Sequence, residues 1–223
     1  HKSSTSLQLW FYAMYLMTST RCGISAKQLE RELGVTYKTA WRMFNLIRNQ
    51  LMDESDDSKL DGHVEVDEAS VDGKPRVKMD RRRAAQLRER SRATVVAAVE
   101  RGGRVRATVL PSRRGPALKN TVIDWVNPDA VIYTDEWPAY SGLDEHFAAH
   151  SRVTHSAREY VRGDVHTNTI EGFFGNLKTG IRGNYKKVSH KWLQGYLNEY
   201  TWRYNHRNDG RAMFETLLLR AAV

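Results

Sequence analysis

One cysteine, Cys22, in 223 residues excludes an intrachain disulfide framework and a cysteine-built zinc site. Long apolar runs are missing too. The longest, Leu9 to Met17, is too short to cross a bilayer and is broken by tyrosines. No cleavable signal peptide is visible, and a start at His1 without Met suggests a processed or truncated chain. There is no internal repeat or low-complexity tract. Neither a nucleophilic serine elbow nor a phosphate-cradling glycine loop occurs, so ester hydrolysis and nucleotide-driven chemistry have no support. His63, His146, His150, His155, His166, His190 and His206 lack the compact spacing of a zinc motif, and none is assigned as a ligand. These absences lead us to expect a soluble, cytoplasmic protein with no membrane partner.

What is present in excess is positive charge. Lys and Arg total 35 against 26 Asp and Glu, a formal net charge of +9, and the pI is near 9.7. That balance favours a polyanionic partner, most simply nucleic acid. An anionic membrane is the alternative, but the basic residues are dispersed through segments that read as folded rather than gathered in one run.

The first fifty residues read as helices over Leu7 to Met17, Ser25 to Leu33 and Thr36 to about Met52. Ser25 with Gln28 fits a capping box, and Gly34 supplies a turn before Thr36 caps the next helix. This is helix-turn-helix spacing, with Thr36, Tyr37, Lys38 and Arg42 at the start and outer face of a DNA-reading helix. A small helical bundle with Leu29, Leu33, Val35, Ala40, Trp41 and Phe44 as core needs the same apolar residues. The acidic stretch Asp53-Glu54-Ser55-Asp56-Asp57-Ser58 lacks an apolar period and reads as a linker. It divides a helical DNA-binding domain, residues 1–55, from a larger domain, residues 56–223.

Beyond the linker, strands are expected near His63 to Ala69, Thr94 to Val99 and Val105 to Leu110, the last two joined tightly at Gly102-Gly103. A helix near Pro116 to Val126 and a strand ending at Asp135 follow. A strand over Ala148 to Val153 and helices over Ile170 to Arg182 and Ser189 to about Tyr204 complete the chain. We read these elements as an α/β plan on a mixed sheet.

Three acids stand out in this frame. In His63-Val64-Glu65-Val66-Asp67, alternation puts the valines on one sheet face and Glu65 and Asp67 on the other. Ala130-Val131-Ile132-Tyr133-Thr134-Asp135 reads as a buried strand finishing on an acid. Glu171 opens a helix whose Ile170, Phe173, Phe174, Leu177 and Ile181 form one stripe. At about 100° per residue, Glu171, Lys178 and Arg182 fall within roughly 40° of one another beside it. Three carboxylates suit Mg²⁺, which prefers hard oxygen ligands, and two such ions can promote phosphodiester cleavage. With 26 acids in the chain, spacing alone does not distinguish such a site from ordinary surface charge.

The motifs are more specific taken together. His63-Val64-Glu65-Val66-Asp67-Glu68 with Asp72-Gly73-Lys74, then Tyr133-Thr134-Asp135, then His166-Thr167-Asn168-Thr169-Ile170-Glu171-Gly172-Phe173-Phe174 with Leu177-Lys178, and finally Tyr204-Asn205-His206-Arg207, span nearly the whole chain. The set resembles the DDE-type insertion-sequence transposases, in the bacterial subgroup related to the Merlin elements. The resemblance implies an RNase H-like mixed sheet flanked by helices, two Mg²⁺ or Mn²⁺ ions, and Asp67, Asp135 and Glu171 as catalytic metal ligands. It also implies cutting of element ends and insertion into target double-stranded DNA, by a homodimer assembled on DNA and associated with the bacterial nucleoid. The 171 − 135 = 36 residues between the second and third acids agree with such families. Members of the subgroup often carry a cysteine-rich zinc ribbon ahead of the helix-turn-helix, which is lacking here, so incomplete end recognition is expected.

In the expected mechanism a water attacks the phosphodiester and releases a 3′ hydroxyl. That hydroxyl then attacks target DNA at the same site. Asn168, one turn before Glu171, is read as a neighbouring polar contact. Lys178 and Arg182 would face DNA, as would Arg81, Arg82 and Arg83 in the basic run from Lys74 to Arg92, and Lys186 and Lys187 farther on. Trp137-Pro138-Ala139-Tyr140 suits either DNA contact or packing. The alternatives are a metal-dependent nuclease that cuts without joining and a noncatalytic DNA-binding regulator; the intact acidic triad weighs against the regulator.

Overall fold

The computed structural model of the protein describes residues 4–20, 22–54, 58–72, 92–110, 115–153, 161–162 and 165–222. Helices α1 (Leu7–Ser19), α2 (Ala26–Leu33) and α3 (Tyr37–Leu46) come first. Each starts on a hydroxyl cap: Ser6, Ser25 and Thr36 accept from the amides of Leu9, Gln28 and Thr39. Gly34 ends α2 at φ +63°, a left-handed conformation that glycine adopts without steric cost. The third helix is shorter than its apolar pattern suggested, because after Leu46 the backbone widens into a π turn, Ile47–Leu51.

Strands β1 (His63–Asp72), β2 (Arg92–Glu100) and β3 (Val105–Leu110) form an antiparallel meander. The connection from β2 to β3 has four residues rather than two. The Gly103 amide donates to Glu100, and Glu100 in turn donates to Arg104. Helix α4 (Gly115–Trp125) leads to β4 (Val131–Thr134) and β5 (Ala149–Arg152), which run parallel to β1 and to each other. The sheet order is β3-β2-β1-β4-β5. A short 3₁₀ turn, Pro138–Tyr140, stands between β4 and β5. A small hairpin, β6 (Val161–Arg162) with β7 (Val165–His166), follows; then come α5 (Asn168–Gly180), α6 (His190–Asn205) and α7 (Met213–Ala221). The hairpin and α7 were not anticipated; two-residue strands carry no period.

Alternation along the strands divides the interior. Val64, Val66, Val96 and Ala98 face Leu118 and Val122 of α4. Ala69, Val71, Val95, Ala97 and Val99 face the stripe of α5, Ile170, Phe173, Phe174 and Leu177, together with Leu193 and Leu197 of α6. The second core is continuous with Leu29, Ala40, Met43, Phe44 and Ile47 from the N-terminal helices. Burying each of the Val, Leu, Ile, Met and Phe side chains contributes roughly 1.5–3 kcal/mol. Helices α5 and α6 approach so closely at Gly180 that a Cβ there would overlap the Tyr200 hydroxyl. Among the described residues, the mixed five-stranded sheet therefore has α4 on one face and the other long helices on the opposite one.

Candidate active site

Strand register brings the first two acids together. In the parallel pair, His63 lies opposite Val131 and Glu65 opposite Tyr133. Asp135 directly follows β4, and continuing that register would carry it toward Asp67, near enough for its charge to act on that carboxyl. Backbone amides orient both carboxylates: Asp67 Oδ1 accepts from Glu68 N at 2.7 Å, and Asp135 Oδ1 from Trp137 N at 2.9 Å.

The third acid arrives on α5, and a residue of β1 holds that helix in place. Glu65, two residues before Asp67 on the same face, is completely buried. Its Oε2 accepts from the amides of Thr169 at 2.8 Å and Ile170 at 3.1 Å, and its Oε1 from the Thr169 hydroxyl at 2.9 Å. Arg101 neutralises this charge, with Nε donating to Glu65 Oε1 at 2.7 Å and Nη2 to the His166 carbonyl at 2.9 Å. His166 Nδ1 lies 3.1 Å from Glu65 Oε1 but off hydrogen-bond geometry. Glu171, two residues beyond Thr169, accepts from the Thr167 hydroxyl at 3.1 Å and is exposed.

The electrostatics of Asp67 reflect this crowding. Burial, then the charge of Glu68, then those of Asp135 and Glu171 push its carboxyl up to about 7, against the opposing hydrogen bond from the Glu68 amide. On the other face, Tyr140 donates to Glu68 Oε2 at 2.6 Å, and burial followed by the Glu68 charge raises the phenol well above its ordinary value. Among the described residues, no three His, Cys, Asp or Glu side chains converge closely enough to form a ready-made metal cage. Mg²⁺ needs none, since one or two carboxylates with water and substrate phosphate usually hold it. Hard oxygen donors, a surplus of negative charge and amide-oriented carboxylates fit such an ion at Asp67, Asp135 and Glu171.

A family model described as the ISXO2-like transposase domain matches residues 59–205. The chain belongs to this transposase family. The match runs from just before β1 to the last residue of α6, so it contains all three acids. This transposase is 31% identical over 229 residues, 97% of its own chain and 76% of the other, to an uncharacterized protein in transposable element ISH50 of Halobacterium salinarum. An uncharacterized transposase-like protein of Haemophilus influenzae is 26% identical over 103 residues, 46% of this chain and 82% of that one. A solved pre-cleavage Mos1 transpososome aligns with 100% of this chain and 80% of its own at 12% identity and a TM-score of 0.38. The Mos1 strand transfer complex aligns with 95% and 81% at 12% identity and a TM-score of 0.32. The family is one of DDE transposases, proteins of DNA recombination.

The transposase displays several of the expected DNA-contacting residues. Thr36, Tyr37, Lys38 and Arg42 are exposed along the start of α3, and Arg42 also donates to the Thr5 hydroxyl at 3.3 Å. Arg182, Lys186 and Lys187 are exposed after α5, and Lys178 is half-buried over the Phe174 ring. Lys186 sits at φ +60°, a strained setting for a side chain that turns the chain out of the π turn Ile181–Tyr185. Arg81, Arg82 and Arg83 lie outside the described residues. Trp137 and Tyr140 pack edge to face, and Tyr140 is fully buried, which assigns Tyr140 to packing.

The contacts of two groups in the transposase were not foreseen from the sequence. Arg48 and Glu199 form a fully buried ion pair between the π turn after α3 and α6. The guanidinium lies 3.6 Å from the Phe44 ring centre and 3.7 Å from that of Tyr196. Burial opposes its charge, but Glu199, with Tyr185 and Tyr196, raises its pKa; burial likewise opposes Glu199, which Arg48 and Arg203 hold low. The second group is the Tyr204-Asn205-His206-Arg207 motif. Asn205 pairs both the N–H (2.8 Å) and the C=O (3.1 Å) of Val105 on edge strand β3 and donates to Glu54 at 2.6 Å. His206 bonds Glu54 at 2.8 Å, and Arg207 covers the Tyr204 ring at 3.8 Å. Amide side chains at helical spacing were the available signal, since Gln194 binds Val109 on the same strand.

Proposed function

We propose that this transposase cleaves the ends of its element and joins them to target DNA at Asp67, Asp135 and Glu171, on an RNase H-like catalytic domain spanning residues 56–223. The observation that supports this reading is that the charges of Asp135 and Glu171 both bear on Asp67: Asp135 follows the strand paired in parallel with β1, and Glu65 docks the start of the Glu171 helix on the Asp67 face. The strand order and directions suit an RNase H-like sheet. Asp67, Asp135 and Glu171 would hold two Mg²⁺ or Mn²⁺ ions, which supply the positive charge that activates the attacking oxygen and stabilises the leaving one. The chain itself contributes orientation. The Glu68 and Trp137 amides fix the two Asp carboxylates, and the Thr167 hydroxyl holds that of Glu171. Cleavage breaks a P–O bond as water supplies the new oxygen and leaves a 3′ hydroxyl. In joining, that hydroxyl attacks a target phosphate and displaces a new 3′ oxygen, so no protein-linked intermediate is required.

Residues 1–55 would read DNA through Thr36, Lys38 and Arg42. Lys178, Arg182, Lys186 and Lys187 would hold the backbone near the site, with Arg81, Arg82 and Arg83 assigned the same role from sequence. We assign two copies to a functional complex, since two ends must be brought together, and a place in the bacterial cytoplasm on nucleoid DNA. Nicking of supercoiled plasmid in Mg²⁺ or Mn²⁺ tests the reading. The chain should nick, and Asp135→Asn should lower the rate at least about a hundredfold, the scale on which losing a principal charge-stabilising group slows an enzyme. Equal nicking by both proteins would remove Asp135 from the site.

A further inference from the structure

Helix α5 has no N-terminal cap of its own. Thr167 precedes it at φ −120°, ψ 21° and makes no side-chain cap bond; its hydroxyl donates instead to Glu171 Oε1. The first amides of a helix must nevertheless find acceptors when they are buried. Here the acceptor comes from another element. Glu65, on β1, takes the Thr169 and Ile170 amides with one oxygen and the Thr169 hydroxyl with the other. Its position in the strand fixes the consequence. One pleat repeat separates Glu65 from Asp67 on the same sheet face, and two residues separate Thr169 from Glu171. A single buried carboxylate thus sets the distance between the first and third acids.

We propose that Glu65 is a positioning residue of the transposase site: it docks the start of α5 so that Glu171 reaches the ions held by Asp67 and Asp135. The proposal rests on the three-acid reading above. A neutral amide is the informative replacement. In Glu65→Gln the side-chain NH₂ would meet other donors at Thr169, Ile170 or Arg101, while volume is kept. Groups behind metal ligands typically change metal affinity on the order of 10–100-fold when altered, and Glu65 should fall in that range.

The experiment compares wild type, Glu65→Gln, Glu171→Gln and the milder Thr169→Val, which removes only the hydroxyl bond to Glu65. Mn²⁺ binding is read from the electron paramagnetic resonance signal of free Mn²⁺ without DNA, beside plasmid nicking, DNA affinity and melting temperature. We expect Glu65→Gln to weaken Mn²⁺ binding at least about tenfold, as Glu171→Gln does, with DNA affinity retained. Thr169→Val should shift it the same way by a smaller factor. A merely structural Glu65 would lower the melting temperature and leave the Mn²⁺ titration of the folded protein unchanged, which overturns the proposal. If Glu65→Gln fails to fold, an unchanged Mn²⁺ titration in Thr169→Val overturns it too. Wild type that neither binds Mn²⁺ nor nicks sinks the three-acid reading and this proposal together. Wild-type activity with unaltered Glu65→Gln and Thr169→Val sinks this proposal alone.

Discussion

At the scale of single residues, the charges that matter most to the fold are those withdrawn from solvent. Glu65 and Glu199 are both fully buried, and each is saturated by donors, the first by helix amides and Arg101, the second by Arg48 and Arg203. His206 is half-buried between two acids, and the hydrogen bond with Glu54 raises its pKa above the ordinary value despite burial, helped by Asp209. The imidazolium is therefore favoured in the folded protein. Its stabilisation is fully present below the unfolded value of about 6.5 and is lost as pH rises through the higher folded value. We expect the melting-temperature difference between wild type and His206→Gln to be largest near pH 6 and to shrink toward pH 8. A constant difference across that window would contradict the assignment.

At the scale of elements, the helices divide into those that propensity explains and those that packing decides. Helices α2 and α3 start on Ser25 and Thr36, and the turn between them needs Gly34 at positive φ. The π turns at Ile47–Leu51 and Ile181–Tyr185 have no counterpart in the apolar pattern, and both border the aromatic cage of Arg48: Phe44, Tyr185 and Tyr196 surround its guanidinium. The Arg48–Glu199 pair locks the N-terminal helices to α6. Removing one partner from such a buried pair typically costs about 3–5 kcal/mol, whereas replacing both with apolar residues is often neutral. Arg48→Met should accordingly destabilise by roughly that amount in urea titration, and adding Glu199→Leu should recover part of the loss, less than in an isolated pair because Arg203 also uses Glu199. Additive losses would mean that the two charges are not coupled.

At the scale of the whole molecule, a net charge of +9 is spread over a body whose N-terminal and C-terminal helices share one core. Exposed Lys38, Arg42, Arg182, Lys186 and Lys187 occur on both the N-terminal helices and the segment after α5, and we propose that a bound duplex meets both. Counterion release then makes affinity fall steeply with salt. Binding of a short duplex by Lys186→Gly/Lys187→Ala should weaken across all sequences and lower the salt slope by about one per lost phosphate contact, roughly two in all. Glycine at position 186 also relieves the positive φ there, so melting should not fall. An unchanged slope would place these lysines away from DNA. Among the described residues no helix is long and apolar enough to cross a membrane.

Sequence by itself determined what depends on neighbours along the chain. The strand alternation that puts Glu65 and Asp67 opposite Val64 and Val66, the apolar stripe of α5 and the caps at Ser25 and Thr36 are all local patterns, and the structure has them. Tertiary structure alone decided what depends on residues far apart. The offset of 68 residues that carries Asp135 toward Asp67 is a property of strand pairing, which no single strand encodes. The roles of Glu65, Arg48, Glu199 and Asn205 were likewise invisible. A buried charge or amide differs from a surface one only in its partners, and Thr169 for Glu65, Glu199 for Arg48 and Val105 for Asn205 lie about a hundred residues away or more.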